Sequence, residues 1–535
     1  MIKLPTPFSV TTRKVTLNNL QKQEYDIAII GGGITGAGIL LDAVARGLKV
    51  ILFEKQDFAI GTSSRSTKLI HGGLRYLKNL ELGLVREVGQ ERAIVFSNAI
   101  HLVRPEKMLL PLFPDGSLNK FTANIGIGVY EWLANVQAKE RKSMLDKENT
   151  ITLEPLLKDT KVTGSALYTE YRCDDARLVI EVLKKAVEKG AEAVNYCEVT
   201  DFDYDDKNTI KAIRLKDATT NETYTCTAKK IINAAGPWVD ELRKINKSLE
   251  KKQLHLTKGV HIVVDKKKLP IQQSIYFDVP GNRMIFAIPR DGIIYLGTTD
   301  TDYKQNIDTP NVSAEDTNYL LNCINNLFPS IHLTPSDVLS SWAGLRPLIH
   351  EEGKAPSELS RKDELFLSDT GLISIAGGKL TGYRKMAAKA VDIALQYLVK
   401  EFPTTHTWKK SNTISIHLSG GDFDSLAHFY SYKETKIGET KEISTNISFV
   451  SLLVDRYGTN VDTILDIAFD NYRNLSPSQQ PFALEKAAMT YSKEHECVVY
   501  PQDYWHQRTA TNYFYTQYYS TNQAILDEIA SEVFN

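Results

Sequence analysis

Tyr25–Ile30 (YDIAII) is an apolar run of strand length, the run 31–38 (GGGITGAG) breaks it with glycines, and ILLDAVARG continues at helical spacing. KVILFEK, from Lys49 to Lys55, reads as a second strand and carries Glu54 near its end. The pattern predicts strand, glycine turn, helix and strand. Two later apolar runs end in the same way. Lys230–Ala234 turns at Ala235, Gly236 and Pro237, and GLISIAGGKLTGYRKMAAKAVDIAL gives a strand, a turn at Gly377 and Gly378, and a helix. Three glycine-marked strand ends so far apart predict one α/β nucleotide domain assembled from discontinuous segments, with other material between them.

That other material has a different period. Between about 241 and 349, short runs such as HIVVD, RMIFAIP and GIIYLGT alternate with turns and predict a mainly antiparallel sheet. After about 415 the spacing becomes helical, as in SLLVDRYGTNVDTILDIAF and ALEKAAMTYSKEHEC. Tyr504, Trp505 and His506 in this part are expected to pack, since aromatics usually serve cores or interfaces. ANIGIGVYEWLANVQAKERK places Ile125, Val129, Trp132, Leu133 and Val136 on one helical face and ends in Lys139, Arg141 and Lys142. Core packing and contact with an anionic membrane surface both fit such a helix.

Composition narrows the class. A chain of 535 residues exceeds what one hydrophobic core usually serves, so two or three domains are expected. A net charge of -1 argues against nucleic acid as partner, because phosphate backbones demand a cationic excess. No apolar run is long enough for a transmembrane helix. The five cysteines, Cys173, Cys197, Cys226, Cys323 and Cys497, lie far apart with no CxxC pair, and no metal site is expected. The first two dozen residues hold no apolar signal core, so a cytoplasmic protein with a short N-terminal arm is expected.

Chemistry concentrates at the first turn and after it. Gly31, Gly33 and Gly36 supply GxGxxG in the right context. The first glycine permits the turn, the second lets backbone approach a pyrophosphate, the third lets helix and strand pack closely, and Glu54 stands where a carboxylate accepts from ribose hydroxyls. A helix N-terminus there favours phosphate. The next stretch, GTSSRSTKLIHGGLRYL (61–77), carries Arg65, Lys68, His71 and Arg75 among hydroxyls and glycines with no carboxylate, which predicts an anion site.

GGGITGAG with GTSSRSTKLIHGGLRYL, YRCDDARLV, NAAGPWV, KGVHIVV, LGTTDTDY, AGLRPL and GGKLTGYRK resembles the FAD-dependent glycerol-3-phosphate dehydrogenases, within the flavoproteins similar to D-amino-acid oxidase. The motifs run in the family's order over roughly residues 25 to 395. HGGLRYL and GGKLTGYRK are far more specific than the glycine fingerprint.

The resemblance implies a discontinuous Rossmann-like FAD-binding domain (25–110, 151–240 and 350–400), an antiparallel β-sheet substrate cap (111–150 and 241–349) and a C-terminal helical domain (415–535) after an arm (1–24). It implies FAD contacts at Thr62, Ser63, Ser64, Ser66, Lys68 and His71, at Val199 beside the adenine, and at Ala235, Gly236, Gly378 and Thr381. Arg75, Tyr76, Lys379 and Arg361 would bind the substrate, the guanidinium of Arg75 forking onto its phosphate. His261 and Arg346 would serve the chemistry, His261 as proton acceptor and Arg346 beside the developing alkoxide. Asp300 would brace the wall. The implied reaction oxidises sn-glycerol 3-phosphate to dihydroxyacetone phosphate by hydride transfer from C2 to flavin N5. Electrons would pass to membrane quinone from a protein at the cytoplasmic face. Reduction of oxygen to hydrogen peroxide, or oxidation of a small amino or hydroxy acid, stays open as an alternative. So does the oligomeric state, a homodimer included.

Overall fold

The computed structural model describes residues 8–70, 82–116, 120–133, 140–250, 252–281, 283–349, 363–402, 407–444 and 446–534. His71, Arg75, Tyr76 and Arg361 lie outside them, as does Val136 on the amphipathic face.

The first sheet is built from three separated parts of the chain. Its strands run in the order Glu364–Leu367, Leu372–Ala376, Thr223–Asn233, Glu24–Ile30, Val50–Phe53 and Glu192–Val194. From Leu372–Ala376 to Glu192–Val194 every pairing is parallel. Parallel strands need both faces covered, which is why YDIAII reads as an unbroken apolar run. On one face the helix Ile34–Ala45 lies between the helices Asp175–Glu188 and Tyr383–Glu401. Its approach to the second is close, since a Cβ on Gly38 would stand 2.8 Å from the Tyr383 ring. The other face is covered by the antiparallel strands Cys197–Tyr204 and Ile210–Asp217, which pack Val199, Phe202, Ile213 and Leu215 against Ala28, Ile30, Ile51 and Phe53.

The second sheet is mainly antiparallel. Its order is Thr301–Asp302, Leu254–Asp265, Ile293–Gly297, Arg283–Arg290, Ser274–Val279, Arg104–Leu112, Gly164–Arg172 and Leu69–Ile70. Val338–Ile349 pairs along almost the whole of Leu254–Asp265, and Ser143–Asp146 pairs with Gly164–Arg172. One face packs on the helix Ala314–Leu327 through Val260, Ile262, Leu296, Leu320 and Ile324. The second sheet is not confined to the stretch after 241: Leu69–Ile70, Arg104–Leu112 and Gly164–Arg172 come from segments expected in the first domain, because their partners in the antiparallel sheet lie far along the chain.

The helices Leu426–Glu439, Ile447–Tyr457, Val461–Tyr472, Ala483–His495 and Gln523–Phe534 form a core of their own around Leu453, Tyr457, Ile464, Met489 and Leu526. Tyr504 and Trp505 are buried in it, as expected of packing aromatics, and the Tyr504 hydroxyl donates to Glu485 at 2.6 Å. Among the described residues no helix is long and apolar enough to cross a membrane.

A buried fork joins this bundle to the first sheet. Arg508 donates to both oxygens of Asp57 at 2.6 and 3.0 Å and to the Glu496 carbonyl at 2.9 Å, while Asn195 donates to Asp57 at 3.0 Å. Neither charge is solvated, so removing one strands the other. Arg508→Leu is expected to lower unfolding stability by about 3–5 kcal/mol, and adding Asp57→Asn is expected to recover part of that loss in the double variant. Chemical denaturation of the three proteins checks this.

Candidate active site

The glycine turn is as tight as its spacing implied. Gly31 has φ +110, and a Cβ there would stand 2.6 Å from the Ala234 carbonyl oxygen of the neighbouring strand. A Cβ on Gly36 would overlap the Gly31 carbonyl oxygen, so the helix starts directly over the strand end. Gly33 caps the helix Ile34–Ala45 without offering a side chain. The cap comes from elsewhere, because Ser63 Oγ accepts from the Ile34 N–H at 3.0 Å. Glu54 Oε2 accepts from Gly32 N–H at 2.7 Å and Oε1 from Gln56 N–H at 3.0 Å, which fixes the carboxylate at the end of the second strand. Burial pushes its pKa up, against the pull of those two donors.

These residues open onto one cavity. Gly31, Gly33, Ile34, Thr35 and Glu54 line its first wall, and Thr62, Ser63 and Ser66 cross it. Val199, Ala235, Gly236 and Trp238 form another side, and Gly377, Gly378 and Lys379 close the third. Gly236 at φ +57 and Gly377 and Gly378 at φ +78 turn the chain away from their strands, so that backbone rather than side chain faces the cavity. Thr381 is buried just behind, where the chain enters the helix Tyr383–Glu401. All three glycine-marked strand ends therefore meet at a single site. Phosphate suits the first of them, since the opening N–H groups of a helix have no intrahelical acceptor and carry the positive end of its dipole. A largely apolar cavity with a helix N-terminus, a carboxylate and hydroxyls fits a dinucleotide with a flat ring system such as FAD.

The segment 61–68 is clamped rather than loose. Thr62 donates to the Leu345 carbonyl at 2.6 Å, and a Cβ on Gly344 would stand 2.5 Å from the Arg65 carbonyl oxygen, so the segment lies against the strand Val338–Ile349. On its other side the Ser66 hydroxyl and Lys68 Nζ donate to the two oxygens of Asp175, at 2.6 and 2.5 Å. Lys68 is fully buried, donates also to the Ser64 carbonyl at 3.0 Å, and is raised in pKa by Asp175 and Asp174 against its burial. Ser64 and Lys68 thus stand behind the cavity wall instead of lining it. Lys68's share of the positive charge read from the sequence is countered by a carboxylate more than 100 positions downstream. That partner lay in the quoted YRCDDARLV, with nothing local to pair it to the segment.

The same segment reaches the second sheet. His261 Nε2 stands 3.0 Å from Thr67 Oγ1, and the imidazole stacks on Trp342 at 4.8 Å with 11° between planes. Burial, then the charges of Arg346 and Lys68, push the His261 pKa well below its ordinary value, so the ring is neutral. Nδ1 has no hydrogen-bond partner among the described residues. Arg346, four positions beyond Trp342, donates to the Thr299 carbonyl at 3.1 Å, Asp300 Oδ1 at 3.2 Å and Thr298 Oγ1 at 2.8 Å. Asp300 therefore braces Arg346 directly. Gly259 makes room for this guanidinium, because a Cβ there would overlap it.

Trp238, in NAAGPWV, follows the second glycine turn. It closes one side of the cavity, with Lys55 4.6 Å above its ring, its Nε1 donating to Asp308 at 2.8 Å, and Lys55 pairing with Asp308 at 2.6 Å. Met386 and Leu242 complete the apolar lining. Their only sequence signal is membership of apolar helix faces, which does not distinguish a cavity wall from a core.

Residues 26–384 match the model of the FAD dependent oxidoreductase family. The chain is 48% identical over 98% of its length to an aerobic glycerol-3-phosphate dehydrogenase of Staphylococcus haemolyticus, covering 93% of that protein. It is likewise 48% identical, over 95% of its length, to an aerobic glycerol-3-phosphate dehydrogenase of Staphylococcus aureus, covering 90% of that protein. The crystal structure of the glycerol-3-phosphate dehydrogenase from Bacillus halodurans, complexed with FAD, superposes with a TM-score of 0.83 at 40% identity, covering 99% of this chain and 95% of that one. The chain belongs to the FAD-dependent oxidoreductases and, among them, to the aerobic glycerol-3-phosphate dehydrogenase family.

Proposed function

We propose that this protein binds FAD in the cavity and oxidises sn-glycerol 3-phosphate at C2 to dihydroxyacetone phosphate. The observation that carries the reading is near-full-length similarity at 48% identity to aerobic glycerol-3-phosphate dehydrogenases, in a chain whose three glycine turns converge on one cavity. Bound FAD supplies the chemistry that side chains lack, accepting a hydride at N5 and releasing the electrons singly.

The protein's own contribution is holding and proton handling. Gly31, Gly33 and Gly36 bring the helix N-terminus to the pyrophosphate, and Glu54 accepts from the ribose. Ser63, whose oxygen accepts from Ile34 N–H, keeps its hydroxyl proton for the phosphates or ribityl chain, Thr62 and Ser66, whose protons go to the Leu345 carbonyl and Asp175, border the same path, and Val199 borders the adenine. Ala235, Gly236 and Gly378 shape the remaining wall with Thr381 behind it, Ser64 and Lys68 support the crossing segment, and His71 contacts the FAD. Arg75 and Lys379 hold the substrate phosphate, and Tyr76 and Arg361 also bind the substrate, so that C2 is presented to the ring. Arg346, kept in place by Asp300 and Thr298, stabilises the alkoxide as the proton leaves. His261 takes that proton at Nε2, the nitrogen turned toward the crossing segment at Thr67. A neutral imidazole can accept it, whereas a guanidinium has no lone pair to offer.

Quinone is the proposed acceptor, with the protein resting on the cytoplasmic face of the membrane. The helix Lys120–Leu133 supports this placement, because Ile125 on its apolar face is 49% exposed. Incubating the holoprotein with sn-glycerol 3-phosphate and a soluble quinone is expected to yield dihydroxyacetone phosphate in step with quinone reduction. Hydrogen peroxide formed in air at the same rate would overturn the acceptor assignment, and no product with either acceptor would overturn the substrate.

A further inference from the structure

We propose that Trp342 and Phe514 are positioning residues for His261, so that the C-terminal helical region acts on the reacting end of the site. The inference rests on the reading of His261 as proton acceptor. On the strand Leu254–Asp265, His261 is paired with Gly297 on one side and with Trp342 on the other. A Cβ on Gly297 would overlap the imidazole, so the ring lies across that glycine. Trp342 stacks on it nearly parallel, and Thr67 holds its Nε2 edge at 3.0 Å. The ring therefore has a floor, one flank and one hydrogen bond. Its aim depends on the flank, because a histidine freed on one side gains rotamers.

Trp342 is itself held from two directions. Its Nε1 donates to the Ser66 carbonyl at 3.1 Å, which ties the indole to the segment crossing the cavity. Behind it stand Tyr513 and Phe514, with ring centroids 5.3 and 5.6 Å away. Phe514 is wedged between Tyr295 at 5.7 Å and the Arg290 guanidinium, 4.1 Å above its ring. The Ser340 hydroxyl fastens the Tyr513 carbonyl at 2.5 Å. Tyr504 and Trp505 belong to the helical core, whereas Ala510 and Phe514 belong to the apolar core of the second sheet with Trp342 and Tyr295. A few residues of the C-terminal region thus leave their own core and close behind the indole that flanks His261. A covering domain has no need of such an insertion. A site that must fix one imbedded imidazole, lacking a described partner at Nδ1, does.

The test is anaerobic stopped-flow reduction of the holoprotein by sn-glycerol 3-phosphate. Phe514→Ala is expected to lower the limiting rate of flavin reduction about 10-fold, since a displacement near 1 Å of a reacting group costs up to about 100-fold. FAD content and the half-saturating substrate concentration are expected to stay within about twofold, which a general loss of structure does not allow. Phe514→Leu, which refills most of the volume, is expected to restore most of the rate. The acid limb of the rate profile is expected to move up toward the ordinary histidine value near about 6.5 as the loosened ring gains water. Placed on His261→Ala, Phe514→Ala is expected to cost nothing further, because both act through one group. Equal losses with and without His261, or no change in rate for Phe514→Ala, would overturn the proposal. If Phe514→Ala does not fold, Trp342→Phe carries the same comparison and the same two outcomes. An unchanged rate in His261→Ala alone would refute the role of His261 itself and this inference with it.

Discussion

His261→Ala is expected to lower the limiting rate of flavin reduction by about 10²- to 10⁴-fold, the usual contribution of a positioned general base, with little change in the substrate concentration needed. Several features set this size. The imidazole is buried, stacked on Trp342 and hydrogen-bonded to Thr67, so it is held in one position. It is also neutral, because burial and the charges of Arg346 and Lys68 hold its pKa well below the ordinary value. The sign of the pH dependence follows. The base is present at neutral pH and is lost only as pH falls through that lowered pKa, so the rate is expected to stay level through about 6.5, where an ordinary histidine would already be half protonated. A rate that halves at that pH would contradict the burial argument. Arg75→Ala, in contrast, is expected chiefly to raise the substrate concentration required, because it removes a hold on a phosphate that is present before and during reaction alike.

Gly36→Ala is expected to give a folded protein that purifies without its flavin, with affinity lower by on the order of 100-fold, or about 2.7 kcal/mol. The added Cβ overlaps the Gly31 carbonyl oxygen, and backbone cannot swing aside as a flexible side chain does. The strand Glu24–Ile30 is held on both sides, by Val50–Phe53 and Thr223–Asn233, so the turn and the helix start must yield instead. Those are the parts that bring N–H groups to the pyrophosphate. Gly47→Ala is a fitting comparison, since a Cβ there meets nothing within 4 Å. Its φ of +93 costs some stability but stands away from the cavity lining. Absorbance of the bound flavin at equal protein concentration separates the two variants.

What the chain disclosed on its own was what lies close together along it. The GxGxxG turn, Glu54 and the two later glycine turns were legible because each couples a strand end to the element directly after it, and together they fixed the α/β class. The pairing partners were not legible. Lys68 read as a ligand for an anion because the run around it holds no acid, yet Asp175 reaches it from the start of a helix in another part of the fold. Trp342 gave no sign of flanking His261, because the antiparallel register that sets them side by side belongs to two strands some eighty positions apart. Gly259 and Gly297 were equally silent. Each is needed for the space that Arg346 or His261 fills across a strand, which no turn signal marks. Phe514 is the extreme case, an aromatic in the helical C-terminal region whose neighbours are in the sheet.

The most direct measurement of the central claim is anaerobic titration of the oxidised holoprotein with sn-glycerol 3-phosphate, following the flavin absorption band. The expected result is bleaching that reaches completion near one equivalent per flavin and yields dihydroxyacetone phosphate, with no bleaching by small amino or hydroxy acids. A band that stays unchanged at saturating sn-glycerol 3-phosphate, in protein carrying its full complement of FAD, would contradict it.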